Sequence, residues 1–102
     1  MKEINETIEK ELEKMVYDFF ADECEVDIDS LTPETNINDD LDGDSLLFVE
    51  LIELAKKKYS LDIQLQVIGK YMLKHPVETL GRVVEVFKLI YQHENDIVKL
   101  GE

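Results

Sequence analysis

Apolar residues recur at steps of three and four along the first twenty residues of the chain, which is the pattern of an amphipathic helix. The pattern predicts a helix from about Ile4 to Phe20. Glu and Lys occupy the other positions, so one face would meet solvent while the apolar face packs inward. The residues expected on the inward face are Ile4, Ile8, Leu12, Met15, Val16 and Phe19.

No clear helical period follows this segment. Between about Asp22 and Gly43 the chain is acidic, holds Pro33, and is rich in turn-forming residues. We therefore expect a long acidic loop, and a loop of this length in a compact domain is usually functional or packs on its own apolar residues. The residues available for such packing are Ile28, Leu31, Ile37 and Leu41.

A second helix is predicted from about Asp44 or Ser45 to Tyr59, because apolar residues there form a broad face at helical spacing. Lys56, Lys57 and Lys58 fall in its last turn, where cations suit the negative end of the helix dipole. The apolar face would consist of Leu47, Phe48, Leu51, Ile52, Leu54, Ala55 and Tyr59.

Two further helices are predicted in the last third of the chain. The pattern over residues 61–73 is ambiguous, with a short helix interrupted near Gly69 as one interpretation, and His75-Pro76 then punctuates the chain. A last helix is expected from about Val77 to Tyr91, and residues 93–102 form a tail that either extends it or frays. The inward residues of the last helix would be Leu80, Val83, Val84, Phe87 and Ile90.

The expected fold class is all-α, as a single domain over residues 1–102 with its core in about residues 4–92. The bundle would hold three main helices and one short helix, with the long acidic loop between the first and second helices. A core of this size leaves no room for a deep enzyme cleft. Neither a run of about 18 apolar residues nor a signal-peptide pattern is present, so a cytoplasmic protein is expected.

Charge adds the first functional information. The chain holds 11 Lys and Arg against 24 Asp and Glu, for a net charge of −13. From Met15 to Ala55 there are 13 acidic residues and no Lys or Arg. Such a surface repels nucleic-acid phosphate and anionic lipid headgroups, and it attracts basic patches on proteins. Solubility alone is the alternative explanation of the acidity.

The residues Asp40-Leu41-Asp42-Gly43-Asp44-Ser45-Leu46 lie where the acidic loop meets the second helix. This segment resembles the modification site of acyl carrier proteins, where an Asp-Ser-Leu stretch opens the second helix, usually just after a Gly. The order of helix, long loop, helix, short helix and helix is also similar to that family over about residues 4–92. The tripeptide alone is a weak signal, and its place in this context makes it more specific.

The resemblance implies that Ser45 carries a phosphopantetheine arm from coenzyme A, whose thiol holds acyl groups as thioesters. No His or Lys lies near Ser45 in the sequence, so a separate phosphopantetheinyl transferase is implied, and the protein itself is not an enzyme. Acyl-transferring or acyl-activating enzymes with basic patches would be its partners, contacting Asp44, Leu46, Glu50 and Glu53. We expect a monomer without a bound metal.

Other interpretations of these residues stay open. Asp44 or Ser45 is also a favourable helix N-cap. The segment from Asn38 to Gly43 partly resembles a calcium loop, but its twelfth position holds Val49 instead of Glu. Weak binding of divalent cations to the acidic loop is therefore an alternative. An acidic protein-docking module without a prosthetic group is another.

Two features of the second helix depart from the family pattern, and residues 62–76 are also more apolar than the usual acidic connection of the family. Leu47 stands where an acidic residue is common, and the run from Lys56 to Lys58 replaces acidic residues at the end of the second helix. These differences favour a specialised carrier over the general carrier of fatty acid biosynthesis. The identity of the acyl cargo does not follow from the sequence.

Overall fold

The computed structural model describes residues 3–41, 45–74, 76–94 and 96–97. Across these ranges the chain forms five α-helices, one short 3₁₀ turn at Ile28–Ser30 and no strand, which confirms the all-α prediction. α1, α3 and α5 are the three main helices. The helices are α1 (Glu6–Glu23), α2 (Ile37–Leu41), α3 (Ser45–Tyr59), α4 (Leu65–Lys74) and α5 (Leu80–His93).

α1 begins after Asn5, whose side-chain oxygen accepts the Ile8 N–H at 2.9 Å and so satisfies one free donor of the first turn. The helix ends at Glu23, three residues later than predicted. Phe20 is fully buried, whereas Phe19, which we expected to face inward, is only half-buried. The buried line therefore runs at intervals of four through Leu12, Val16 and Phe20.

The predicted acidic loop contains a helix that the sequence pattern missed. α2 has only five residues, which is too short to show a helical period. Its start is held by reciprocal hydrogen bonds: Asn36 Oδ1 accepts the Asp39 N–H at 2.9 Å, and Asp40 Oδ2 accepts the Asn36 N–H at 2.8 Å. The side chains of Asn36 and Asp40 thus stabilise the start of α2.

Some of the loop's apolar residues pack on the core, as expected. Leu31 and Ile37 are buried, and Leu41 is half-buried against the core cluster. Ile28, by contrast, is exposed on the 3₁₀ turn. The segment that leads towards α3 is therefore anchored at two buried positions.

Backbone hydrogen bonds tie this loop to the start of α5. The Ile37 N–H donates to the Glu78 carbonyl at 2.9 Å, and the Leu80 N–H donates to the Thr35 carbonyl at 3.1 Å. Gly81 approaches the loop closely, since its N–H donates to the Pro33 carbonyl at 2.9 Å. A Cβ atom at Gly81 would lie 3.0 Å from that same carbonyl oxygen, a tight contact that glycine avoids.

α3 has the bounds that the sequence predicted, but its apolar face is narrower than expected. Phe48, Leu51, Ile52 and Ala55 are buried, whereas Leu54 is 48% exposed. The packing of α3 against α1 covers only part of the predicted face.

α4 runs without a break through Gly69, so the predicted interruption there was wrong. No atom lies within 4 Å of the position that a Cβ of Gly69 would take, because this side of α4 faces solvent. The helix buries Ile68 and Tyr71 on its other side.

α5 begins at Leu80, three residues later than predicted, because Thr79 caps it through a hydrogen bond from the Arg82 N–H to Thr79 Oγ1 at 3.3 Å. All five of its expected inward residues are buried. The helix ends before Glu94, which has a φ of 50°. Ile97 is 0% exposed, so the core extends past residue 92 into the predicted tail.

Within the described ranges, no helix combines the length and the apolar character needed to cross a membrane.

Candidate functional site

Ser45 is the first residue of α3, a helix of 15 residues. Its side chain and all of residues 42–44 lie outside the described residues, so the sequence-predicted Asp44 does too. Two residues near Ser45 are open to solvent: Leu46 is 66% exposed, and Val49 is also exposed, while Leu47 is half-buried and Phe48 is buried. The start of α3 therefore lies at the protein surface, within reach of another protein.

This helix start fits a phosphate ester. The first N–H groups of a helix lack partners within the helix, and the helix dipole is positive at that end. Among the described residues, the first turn of α3 holds no acidic residue, although Asp44 directly precedes Ser45 in the sequence. A phosphodiester on Ser45 would be held by the covalent bond and favoured by these backbone donors.

Three of the four residues predicted to recognise partners share one exposed face of α3. Leu46, Glu50 and Glu53 are spaced by four and three residues, which places them in one row along the helix. All three are exposed. We call this row the docking stripe; it runs away from Ser45 along the outer side of α3.

Two of the lysines at the end of α3 lie next to carboxylates, one of them in the docking stripe. Lys56 Nζ lies 4.0 Å from Glu53 Oε1, and Lys58 Nζ lies 3.9 Å from Glu11 Oε1. These are surface ion pairs, which contribute little to stability but offset charge locally. Lys57 is exposed.

The structure also shows a surface feature that the sequence reasoning missed. An elongated depression runs between α1 and α3 and includes Phe19 and Leu54, both of which we expected to be in the core. The half-buried Phe19 packs its ring edge to face against Phe20, with ring centres 5.4 Å apart. Helical periodicity cannot separate such edge positions from core positions, since both lie near the apolar face.

No group of three or more His, Cys, Asp or Glu side chains within the described ranges is arranged to hold a metal ion. Asn38 and Asp40, two of the positions that resembled a calcium loop, lie in α2, and Asp40 already accepts the Asn36 N–H. Asp42 lies outside the described residues, so weak divalent-cation binding stays a prediction.

Known proteins give an independent comparison. The profile of a family described as "Phosphopantetheine attachment site" matches residues 15–83, more than half of the chain. An "Acyl carrier protein homolog" of Clostridium acetobutylicum is 57% identical over 102 residues, covering 100% of this chain and 99% of that protein.

Two more distant relatives carry the name "Acyl carrier protein". The protein of a Picosynechococcus species is 32% identical over 77 residues, which is 76% of this chain and 88% of the relative. The protein of Lactobacillus acidophilus is 40% identical over 55 residues, or 54% of this chain and 69% of the relative. With the family match across α1 to α5 and a relative that aligns along the whole length, the chain belongs to the acyl carrier protein family, whose members bear a phosphopantetheine group and act as carriers.

Proposed function

We propose that Ser45 bears the phosphopantetheine arm and that the protein presents acyl groups, held as thioesters on that arm, to partner enzymes. The observation that carries this proposal is the position of Ser45 at the first residue of α3, beside the exposed Leu46. A serine at this position lies at the end of the helix that favours an anion. The family match over residues 15–83 includes this position.

Loading the arm requires a separate transferase. The hydroxyl oxygen of Ser45 would attack the pyrophosphate of coenzyme A, forming a new O–P bond while the nucleotide portion leaves. The hydroxyl proton must go to a base, and from Met15 to Ala55 the chain offers no His, only carboxylates, which are weak bases at neutral pH. We therefore assign the base to the transferase and give this protein no catalytic role. When bound, the arm supplies a thiol that forms the thioester.

Partner enzymes would dock on the docking stripe. Leu46 offers an exposed apolar contact next to Ser45, and Glu50 and Glu53 offer negative charge one and two turns further along α3. An enzyme with a basic patch beside its active site would be drawn to this row and oriented with Ser45 facing it. The association rate should fall as salt rises, because screening acts within about 10 Å at 0.1 M salt.

The negative charge of the chain also indicates which molecules it would avoid. A net charge of −13 disfavours contact with nucleic acid and with anionic membranes, and it disfavours self-association. We accordingly propose a monomer, and we propose a cytoplasmic location separately from the charge. Light scattering of the purified chain over a range of protein concentrations would measure its mass directly.

Intact-mass spectrometry tests the attachment. The chain produced together with a carrier-protein transferase should be heavier by one phosphopantetheine unit, and peptide mapping should place the added group on Ser45. The Ser45→Ala chain should keep its unmodified mass, while Ser60→Ala, the same change at an exposed serine after the end of α3, should gain the group normally. An unmodified wild-type mass with several transferases and ample coenzyme A would refute the carrier assignment.

An acidic docking module without a prosthetic group is the second candidate function. The docking stripe and the depression between α1 and α3 could serve such a module equally well. The mass measurement separates the two, since a docking module would bind its partner yet gain no mass.

A further inference from the structure

The depression between α1 and α3 is a continuous groove. It consists of two adjoining parts of about 550 Å³ and 500 Å³ that share Phe19, Glu23 and Leu54. One part extends along α1 towards Glu11, and the other extends along α3 to Val49. We call it the α1–α3 groove. It lies along the C-terminal half of α1 and follows α3 to within one turn of Ser45.

The floor of the groove is apolar. Leu54 is 48% exposed and Val49 is also exposed, while Met15 and Phe19 are half-buried and pack against the core. These four side chains come from two neighbouring helices, so they form a strip of apolar surface between two helical ridges. A surface of this shape accepts the apolar face of a third helix.

The rim of the groove is acidic after its internal ion pairs are taken into account. Lys14 Nζ lies 2.6 Å from Asp18 Oδ2, and Lys58 pairs with Glu11, so both rim lysines have acidic partners. Within the described parts of the chain, no ion pair involves Asp22, Glu23 or Glu50. Among the described rim residues, these three carboxylates outnumber the one remaining cation, Lys57.

We infer that the α1–α3 groove binds a basic amphipathic helix of a partner protein, with the apolar side of that helix on Leu54 and Phe19 and its Lys or Arg residues against Glu23 and Glu50. Charge complementarity selects this occupant. A second copy of the chain would bring a net charge of −13 against the same acidic rim. Because Glu50 belongs both to this groove and to the docking stripe, the inference rests on the proposed docking role of α3, but it does not depend on the arm.

A direct binding measurement tests the inference. The probe is a synthetic peptide of about 18 residues with Leu at helical spacing and Lys on both flanks. Fluorescence anisotropy would follow its binding to the full chain, produced without a transferase. We expect saturable binding that weakens about fivefold in Leu54→Ala, because the exposed half of that side chain becomes buried in the complex. Leu73→Ala, the same change at a residue 85% exposed on α4, should bind as the wild type does.

Charge variants test the rim separately. Glu23→Gln combined with Glu50→Gln should weaken binding and flatten its dependence on salt, whereas Glu78→Gln, which removes a charge outside the groove, should leave the salt dependence nearly unchanged. Amide shifts in NMR spectra of the complex should be concentrated in the second half of α1 and in α3.

Several results would overturn the inference. Equal affinity for wild type and Leu54→Ala, equal weakening in Leu73→Ala, or equal binding of a peptide with Glu in place of Lys would each show that the groove is not the site. The arm is absent from this assay, so a failure here would leave the mass test of Ser45 unaffected, and an unmodified mass would leave this binding result unaffected.

Discussion

The two described glycines of the helices should respond in opposite directions to the same substitution. Gly69 lies inside α4 with open space around it, since nothing approaches within 4 Å of a Cβ built there. Gly69→Ala therefore adds no clash and replaces a poor helix former with the best one, which is worth about 1 kcal/mol. For a domain of this size, that gain corresponds to a rise in melting temperature of about 4–8 °C.

At Gly81, by contrast, an added Cβ would be crowded. A Cβ at this position would lie 3.0 Å from the Pro33 carbonyl oxygen and 3.1 Å from the Pro33 Cβ. Pro33 must then move away, which strains the loop and lengthens the 2.9 Å hydrogen bond from the Gly81 N–H. Overpacking costs about 1–3 kcal/mol and the hydrogen bond is worth about 1 kcal/mol, against a helix gain of about 1 kcal/mol. We expect a net loss of about 1–3 kcal/mol in Gly81→Ala.

Denaturant unfolding followed by circular dichroism measures both changes, because the helical signal reports the whole domain. Gly69→Ala should shift the urea midpoint upwards and Gly81→Ala should shift it downwards, with unchanged slopes. Hydrogen exchange should also show faster exchange of the Ile37 and Leu80 amides in Gly81→Ala, since the loop contacts loosen. Equal stabilisation by both variants would refute the reasoning, as it would show that the loop yields freely at Pro33.

Three further predictions concern other parts of the molecule. Burial, and then the neighbouring Glu11, raise the pKa of Tyr59 from 10.0 to about 12. The stability that comes from keeping this hydroxyl protonated in the folded state is therefore present below pH 10 and is lost as the pH rises towards 12. In Tyr59→Phe, the free energy of unfolding should fall less steeply between pH 10 and pH 12, as alkaline unfolding measures. Ile97→Ala should lower the free energy of unfolding by about 2 kcal/mol, while Leu73→Ala should change it by less than about 0.5 kcal/mol, as measured by urea unfolding. Millimolar calcium or magnesium should raise the melting temperature more than sodium at matched ionic strength, and the difference should shrink in Asp42→Asn. Identical melting curves would show that the carboxylates of the segment around Asp42 are too solvated or too far apart to bind a divalent cation.

Much of this protein was determined by local sequence. The steps of three and four residues predicted α1, α3 and α5, because burying one face of a helix requires that spacing whatever the helix packs against. The same reasoning identified the five inward residues of α5, all of which are buried. The motif ending in Ser45-Leu46 placed Ser45 at the start of α3, where the helix indeed begins. The acidic composition of residues 15–55 was equally plain from the sequence.

The tertiary structure decided how these helices share their faces. Phe19 and Leu54 carry the apolar signature of core residues, yet the way α1 and α3 pack leaves them along a groove. The contacts of Pro33 with Gly81 and of Ile37 with Glu78 join segments more than forty residues apart. A local sequence pattern cannot predict such pairs. The burial of Ile97 likewise depends on core residues from distant parts of the chain. Periodicity shows which side of a helix is apolar, but the extent of its burial depends on neighbours that arrive from distant parts of the chain.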